Sequence, residues 1–264
     1  MAAGRLEGRG VLVTGAGRGI GRALAHRAAA EGARVVVNDL DPALAAEVAE
    51  EVGGHAEPGD CATDAGARRL VGAAREHLDR LDVLMANAGV DVGGGLDTPD
   101  EVWEQALEVN VMAHVRLARA VVPTWLDTPG GTGGRFVVTA SAAGLLGMIG
   151  NAPYTVTKHG AVAFAEWLSM TYGDRGVTVQ AICPQGVRTR MLEHAGPLTA
   201  LLSRDGALTP EQVADAWVSS LDDDRFLVLP HPEVADYYSS RAADTDGWLR
   251  GMRRLRTRVE AAAR

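Results

Sequence analysis

Gly10-Val11-Leu12-Val13-Thr14-Gly15-Ala16-Gly17-Arg18-Gly19-Ile20-Gly21 is the stretch on which the fold turns. A short apolar run meets a glycine cluster, and an alanine-rich helical segment follows over residues 20–31. Strand, glycine turn and helix in that order present backbone N–H groups to an anion. Glycine allows the sharp turn and close approach, and the helix N-terminus adds partial positive charge. Ordinary turns also use glycine, so the setting between strand and helix carries the weight.

Working outward, residues 34–38 (Arg-Val-Val-Val-Asn) form a second, β-branched strand, suited to burial on both faces. Asp41 and Pro42 then supply an N-cap and first turn for a helix ending near Gly53. A third strand is expected around residues 55–59, from position more than from propensity. A helix over 64–78 and a strand over 82–86 come next. Thr98-Pro99-Asp100-Glu101 has the pattern of a capping box opening one long helix to Trp125. A strand (135–139), a helix (153–172) and a strand (177–182) follow. A second capping pattern at Thr209–Gln212 opens a helix reaching Leu221, and residues 226–229 supply a last short strand. Gly93-Gly94-Gly95 and residues 128–134 are expected to be exposed loops without a chemical role.

This βαβ alternation runs without linker or repeat, so residues 1–264 are expected to form one α/β domain. Its architecture is a doubly wound parallel sheet of Rossmann type in three α/β/α layers. Apolar residues make up 47% of the chain and charged residues 23%, an ordinary globular balance. Lys and Arg number 26 against 34 Asp and Glu, giving a formal charge of −8, so no nucleic-acid partner is expected. No apolar stretch approaches the roughly 20 residues that cross a bilayer, and the first ten residues lack a signal-peptide core. A cytoplasmic protein without a membrane partner is expected. The two cysteines, Cys61 and Cys183, read as buried free thiols, and no cluster has metal-ligand spacing.

Asp39 ends the second strand 18 residues after Gly21. A carboxylate there accepts bonds from adenosine ribose hydroxyls and repels a 2′-phosphate, which favours NAD over NADP. Arg18, a cation in the glycine loop, is the contrary feature. Tyr154 and Lys158 stand four apart on one helical face. An ammonium beside a phenol favours the phenolate, which makes the pair suited to removing a hydroxyl proton. Ser141 follows the strand at 135–139, where a parallel sheet opens its ligand crevice.

These pieces together resemble the short-chain dehydrogenase/reductase family in its compact single-domain form. They are Thr14-Gly-x-x-x-Gly-x-Gly21, Asp60, Asn87-Ala88-Gly89, Asn110, Ser141, Tyr154-x-x-x-Lys158 and Pro184 through Thr189, in the family's order over residues 8–190. The resemblance implies a hydride transfer between NAD and a secondary alcohol or ketone. It implies catalytic roles for Asn110, Ser141, Tyr154 and Lys158, with Tyr154 as general acid/base, Lys158 lowering its pKa and Asn110 holding a water. Cofactor contacts would come from Gly15, Arg18, Gly19, Ile20, Gly21, Asp39, Asp60, Cys61, Asn87, Ala88, Gly89, Pro184, Val187 and Thr189, together with Tyr154 and Lys158. A homodimer or homotetramer is expected.

Two departures stand out. Pro184-Gln185-Gly186 replaces the family's Pro-Gly, so Gln185 either bends the loop or enters the substrate pocket. Residues 226–232 replace a glycine-rich ending. The substrate pocket is expected to be built from Ala143, Met148, Asn151, Gln185 and Leu192, mostly apolar, for a medium-sized lipophilic alcohol or ketone. Asn151 has an alternative as cap of the catalytic helix. Residues 190–208 are expected to form a lid and 232–264 a C-terminal extension. There Trp248, Met252, Leu255 and Val259 make one apolar helical stripe, facing either the chain's own domain or a second subunit. His159 and His231 are given no catalytic role. A silent NAD sensor also fits the sequence, whereas a methyl transferase would leave Ser141, Tyr154 and Lys158 unemployed.

Overall fold

The valine-rich runs pair side by side in one seven-stranded parallel sheet of order β3-β2-β1-β4-β5-β6-β7. The structure is a computed structural model that describes residues 4–127, 133–194, 196–203 and 206–262. Residues 128–132 of the second glycine-rich loop, and 195, 204 and 205 of the expected lid, lie outside the described residues. In chain order the elements are β1 (Gly10–Val13), α1 (Gly19–Ala30), β2 (Arg34–Val37), α2 (Pro42–Val52), β3 (His55–Ala56), α3 (Asp64–Leu78), β4 (Val83–Ala86) and α4 (Asp100–Leu107). A π-helical turn, Glu108–Met112, leads into α5 (Ala113–Leu126), β5 (Gly134–Thr139), α6 (Ala143–Leu146), α7 (Ala152–Tyr172) and β6 (Val177–Ile182). Then come α8 (Arg190–Glu193), α9 (Thr199–Leu202), α10 (Pro210–Ser219), β7 (Leu227–Val228), α11 (Glu233–Ala243) and α12 (Thr245–Ala262).

The central strands divide their side chains between two cores. Leu12, Val36, Leu84 and Phe136 pack with Leu70 of α3, Leu117 of α5 and Leu168 of α7. Val11, Val35, Met85 and Val137 pack with Leu24 of α1, Val48 of α2 and Trp217 of α10. Helices therefore cover both faces, as a parallel sheet requires. The chain reverses its direction of travel between β1 and β4, which leaves a crevice at their C-terminal ends.

Local signals act largely as expected. Asp41 caps α2 by accepting from Ala43 and Leu44 N–H, and Thr209 with Gln212 closes a reciprocal capping box on α10. The box expected at Thr98 does not form: α4 begins after Pro99, with no side-chain cap. Thr98 instead turns back, its N–H donating to the Gly95 carbonyl at 3.4 Å. The single helix expected to Trp125 is broken by the π-turn. β3 is shorter than expected, yet pairing continues past it through Glu57 N–H to Val37 O and Gly59 N–H to Asp39 O, both 2.9 Å. Among the described residues no helix is long and apolar enough to cross a membrane, and no group of three His, Cys, Asp or Glu could hold a metal.

Candidate active site

The crevice is a cleft of about 1740 Å³. That exceeds the roughly 300–1,000 Å³ of a pocket for one small ligand, so a dinucleotide and a second molecule fit together. Its floor is the glycine turn. Gly15 has φ +59°, and a Cβ there would stand 2.8 Å from Ala88 Cα; one at Gly21 would stand 2.2 Å from the Gly15 carbonyl. Only glycine leaves this cradle open. No side chain caps α1, so its first-turn N–H groups are left to an anion. Asn87 locks the turn by donating Nδ2 to the carbonyls of Thr14 (2.9 Å) and Gly15 (3.1 Å).

Asp39 is buried, and its Oδ2 accepts from Gly17 N–H at 2.9 Å while Oδ1 accepts from Asp41 N–H at 3.1 Å. A carboxylate has lone pairs beyond these two, so it can still accept from a ribose. Gly17 was not singled out from sequence, yet its N–H orients this carboxylate. Asp60 Oδ1 accepts from Ala62 N–H at 2.8 Å. Arg18, Gly19, Ile20, Asp60, Cys61, Ala88, Gly89, Pro184, Val187 and Thr189 all line the cleft. These residues fit a dinucleotide. Both thiols are buried, and burial pushes Cys61 up to about 11 and Cys183 to about 12.

At the other end of the crevice stand Ser141, Tyr154 and Lys158. Ser141 follows β5, with its Oγ accepting from Ala143 N–H at 3.1 Å and donating to the Pro184 carbonyl at 3.4 Å. Lys158 is 3% exposed, donates Nζ to the Thr139 carbonyl at 3.0 Å and lies 5.6 Å from the Tyr154 ring centre. Burial lowers the ammonium to about 8. Burial also raises the phenol to about 12, with Ser141 opposing and Asp91 adding to the rise. Desolvation of the phenolate is the largest effect on Tyr154 in the protein alone, and the same burial disfavours the charge of Lys158.

Asn110 and Asn151 are not brought to the cleft wall. The π-turn rotates Asn110 inward, where Oδ1 accepts from Val90 N–H (2.8 Å) and Nδ2 donates to Val90 O (2.9 Å) and Thr157 Oγ1 (3.1 Å). Both amide hydrogens are therefore used. Asn151 caps α7 by accepting from Tyr154 N–H at 3.1 Å, and its Nδ2 donates to Asp91 Oδ1 at 2.6 Å. Asn151→Ala is expected to lower stability by about 1–2 kcal/mol, the value of a helix cap. That is a Tm fall of about 2–8 °C for a chain of this size. The Michaelis constant should stay within about twofold; thermal melts beside initial rates check both, and a tenfold rise would restore a substrate contact.

Ala143, Met148, Gln185 and Leu192 do line the cleft, joined by Ile149 and Leu201. The apolar stripe of α12 faces this same cleft in its own chain, through Trp248, Met252 and Leu255. The two histidines given no role hold that segment in place. His231 is buried and accepts at Nδ1 from Gln185 N–H (3.1 Å), leaving its Nε2–H for the Gly206 carbonyl (3.2 Å). Gln185 also donates its side-chain amide to Glu233 of α11 at 3.2 Å, so it ties the loop after β6 to the extension. His159 donates Nδ1–H to Thr155 O at 2.8 Å and accepts at Nε2 from Arg241 of α11 at 3.2 Å. Asp91 and Tyr237, which also line the cleft, had no sequence signal beyond their chemistry.

Comparison with known proteins agrees with this geometry. Residues 9–197 match the short chain dehydrogenase family. An uncharacterized NAD-dependent oxidoreductase of Mycobacterium tuberculosis is 36% identical over 248 residues, 81% of this chain and 90% of that one. (-)-trans-Carveol dehydrogenase of Rhodococcus erythropolis is 31% identical over 92% of this chain and 97% of its own. A short-chain dehydrogenase/reductase from Burkholderia phymatum, solved in complex with NAD, superposes with a TM-score of 0.81 at 26% identity, covering 93% of this chain and 96% of that one. With the glycine cradle, the Ser141–Tyr154–Lys158 cluster and these matches in agreement, the chain belongs to the short-chain dehydrogenase/reductase family.

Proposed function

We propose that the protein is an NAD-dependent alcohol dehydrogenase or ketone reductase acting on medium-sized lipophilic secondary alcohols or ketones. The observation that carries this is the meeting of Ser141, Tyr154 and Lys158 in one cleft with the glycine cradle at one end and the apolar face of α12 at the other. The α1 N-terminus would hold the pyrophosphate, Asp39 the adenosine ribose, Lys158 the nicotinamide ribose and Thr189 the carboxamide. When bound, NAD supplies the hydride acceptor or donor. In oxidation, Tyr154 Oη takes the substrate hydroxyl proton, Ser141 Oγ–H donates to the substrate oxygen, and the Lys158 ammonium stabilises the phenolate. In reduction the same proton returns.

The described residues between 190 and 208 serve as the lid, and those between 232 and 262 wall the substrate end. NAD in the Burkholderia complex and the name of the carveol relative agree with this reading. The exposed apolar side chains of α7, Val156 and Trp167 at 50% and Met170 at 79%, support a homodimer or homotetramer. The test incubates the chain with NAD or NADP and secondary alcohols of increasing apolar size, following absorbance of the reduced cofactor. Faster turnover with NAD, and kcat/KM rising with apolar size, are expected. Truncation after Asp246 should abolish that size preference. Binding of NAD without turnover would make the protein a sensor, and faster turnover with NADP would show that Arg18 outweighs Asp39.

A further inference from the structure

Behind the lysine lies a buried imidazole that the chemistry above does not use. His114, in the first turn of α5, is 1% exposed, and neither Nδ1 nor Nε2 has a hydrogen-bond partner among the described residues. Lys158 Nζ donates to the carbonyl of Thr139, while the Thr139 hydroxyl lies on the opposite face of the sheet, in register with Ile182. Asn110 stands four residues before His114 and so on the same side of the helix. A Cβ on Gly89 would lie 3.2 Å from Asn110 Oδ1 and 3.3 Å from Lys158 Nζ, which places those two groups at one spot.

A count of donors and acceptors narrows what His114 can do. An ammonium has three donors, and Lys158 spends one on Thr139. Asn110 has no amide hydrogen left, since Val90 and Thr157 take both. The neutral imidazole offers one donor and one acceptor. Burial, with the Lys158 charge adding to it, holds His114 down to about 3, so the ring is neutral wherever the protein is folded near neutral pH. The other titratable groups acting on Lys158 are Asp91 after β4 and Cys183 after β6, with Tyr154 on its own helix. Buried polar groups are almost always partnered, and a polar site of this kind is where an internal water is held.

We propose that His114 is a positioning residue for Lys158, holding a buried water that accepts from the ammonium. An acceptor on the charged form favours it, so His114 raises the proton affinity of Lys158 above what burial alone would leave. This role extends the proposed dehydrogenase chemistry and rests on it for its activity readout only.

The experiment compares His114→Leu and His114→Gln with the wild type. His114→Leu removes two buried polar nitrogens, so its Tm is expected to hold or rise by about 2–4 °C. Its kcat should nevertheless fall about tenfold, and the alkaline limb of its kcat–pH profile should move about one unit toward acid. His114→Gln, which keeps a donor and an acceptor, should restore part of both. Unchanged kcat and an unchanged profile in His114→Leu would overturn the proposal and leave a merely structural histidine. ¹⁵N NMR of the wild-type histidines gives a reading independent of activity and of variant folding. The pyridine-type nitrogen of His114, which would accept from the water, should show a hydrogen-bonded shift, and a free one would overturn the proposal. If no alcohol or ketone is turned over, the NMR result still decides on the water, and only the dehydrogenase reading fails.

Discussion

Tyr154→Phe is expected to lower kcat by about 10²–10⁴-fold, the usual contribution of a positioned general acid/base. The ring keeps its place, since the backbone N–H of residue 154 is still capped by Asn151 Oδ1 at 3.1 Å and the helix behind it is unchanged. Only the hydroxyl is lost. Affinity for NAD, read by quenching of protein fluorescence, should change less than about threefold. Because burial holds the phenol near 12, alcohol oxidation by the wild type should accelerate as pH rises through the neutral range. The residual rate of the variant should lose that dependence. A loss smaller than tenfold would remove Tyr154 from the proton transfer.

Lys158→Met is expected to cost on the order of 10²-fold or more in kcat and to weaken cofactor binding as well, because the ammonium serves both. It also carries a stability signature whose sign can be worked out. The lysine sits near 8 in the folded chain against 10.5 ordinarily, lowered by burial. Between those values the unfolded chain binds more protons than the folded one, so wild-type stability gains with pH across that window. The penalty of burying the charge is in full force below about 8 and is gone above 10.5. The whole shift corresponds to about 3 kcal/mol at most. Cys61 and Tyr154 shift the other way in both proteins, and Cys183 does so further in the variant, where the lysine no longer acts on it. The difference between wild type and Lys158→Met therefore isolates the lysine and its coupling to Cys183. Urea melts near pH 7.5 and pH 10 should show wild type gaining about 1–3 kcal/mol on the variant. No gain would mean that the ammonium is not buried in solution.

Much of the site was legible before any coordinates because its chemistry depends on residue identity at short range. Gly15 and Gly21 are required wherever backbone must approach within a Cβ of other backbone. Tyr154 and Lys158 share a face through helical spacing alone, and Ser141 lies at the end of a strand. The caps at Asp41 and Thr209 are local hydrogen bonds that the chain writes within four residues. Thr98 carried the same pattern and failed, because loop contacts near Gly95 compete with the helix for the same backbone. Strand order and register were not legible, since strands apolar on both faces show no alternation that would set one register against another.

What the sequence by itself determined is the set of elements, the glycine cradle and the chemical identity of the groups that can move a proton. The tertiary structure alone decided which charges are buried and what shares their surroundings. The π-turn at Glu108–Met112 turns Asn110 away from the cleft wall and spends its amide on Val90 and Thr157. Packing at Lys158 and Tyr154 pushes the two pKa values toward their neutral forms. The stripe of α12 could have faced any partner, and it is the fold of its own chain that sets Trp248, Met252 and Leu255 on the wall of the cleft. The physical reason is common to all three. Helical periodicity and residue chemistry act over a few residues along the chain, whereas desolvation and the choice of a packing partner depend on groups distant in sequence that only folding brings together.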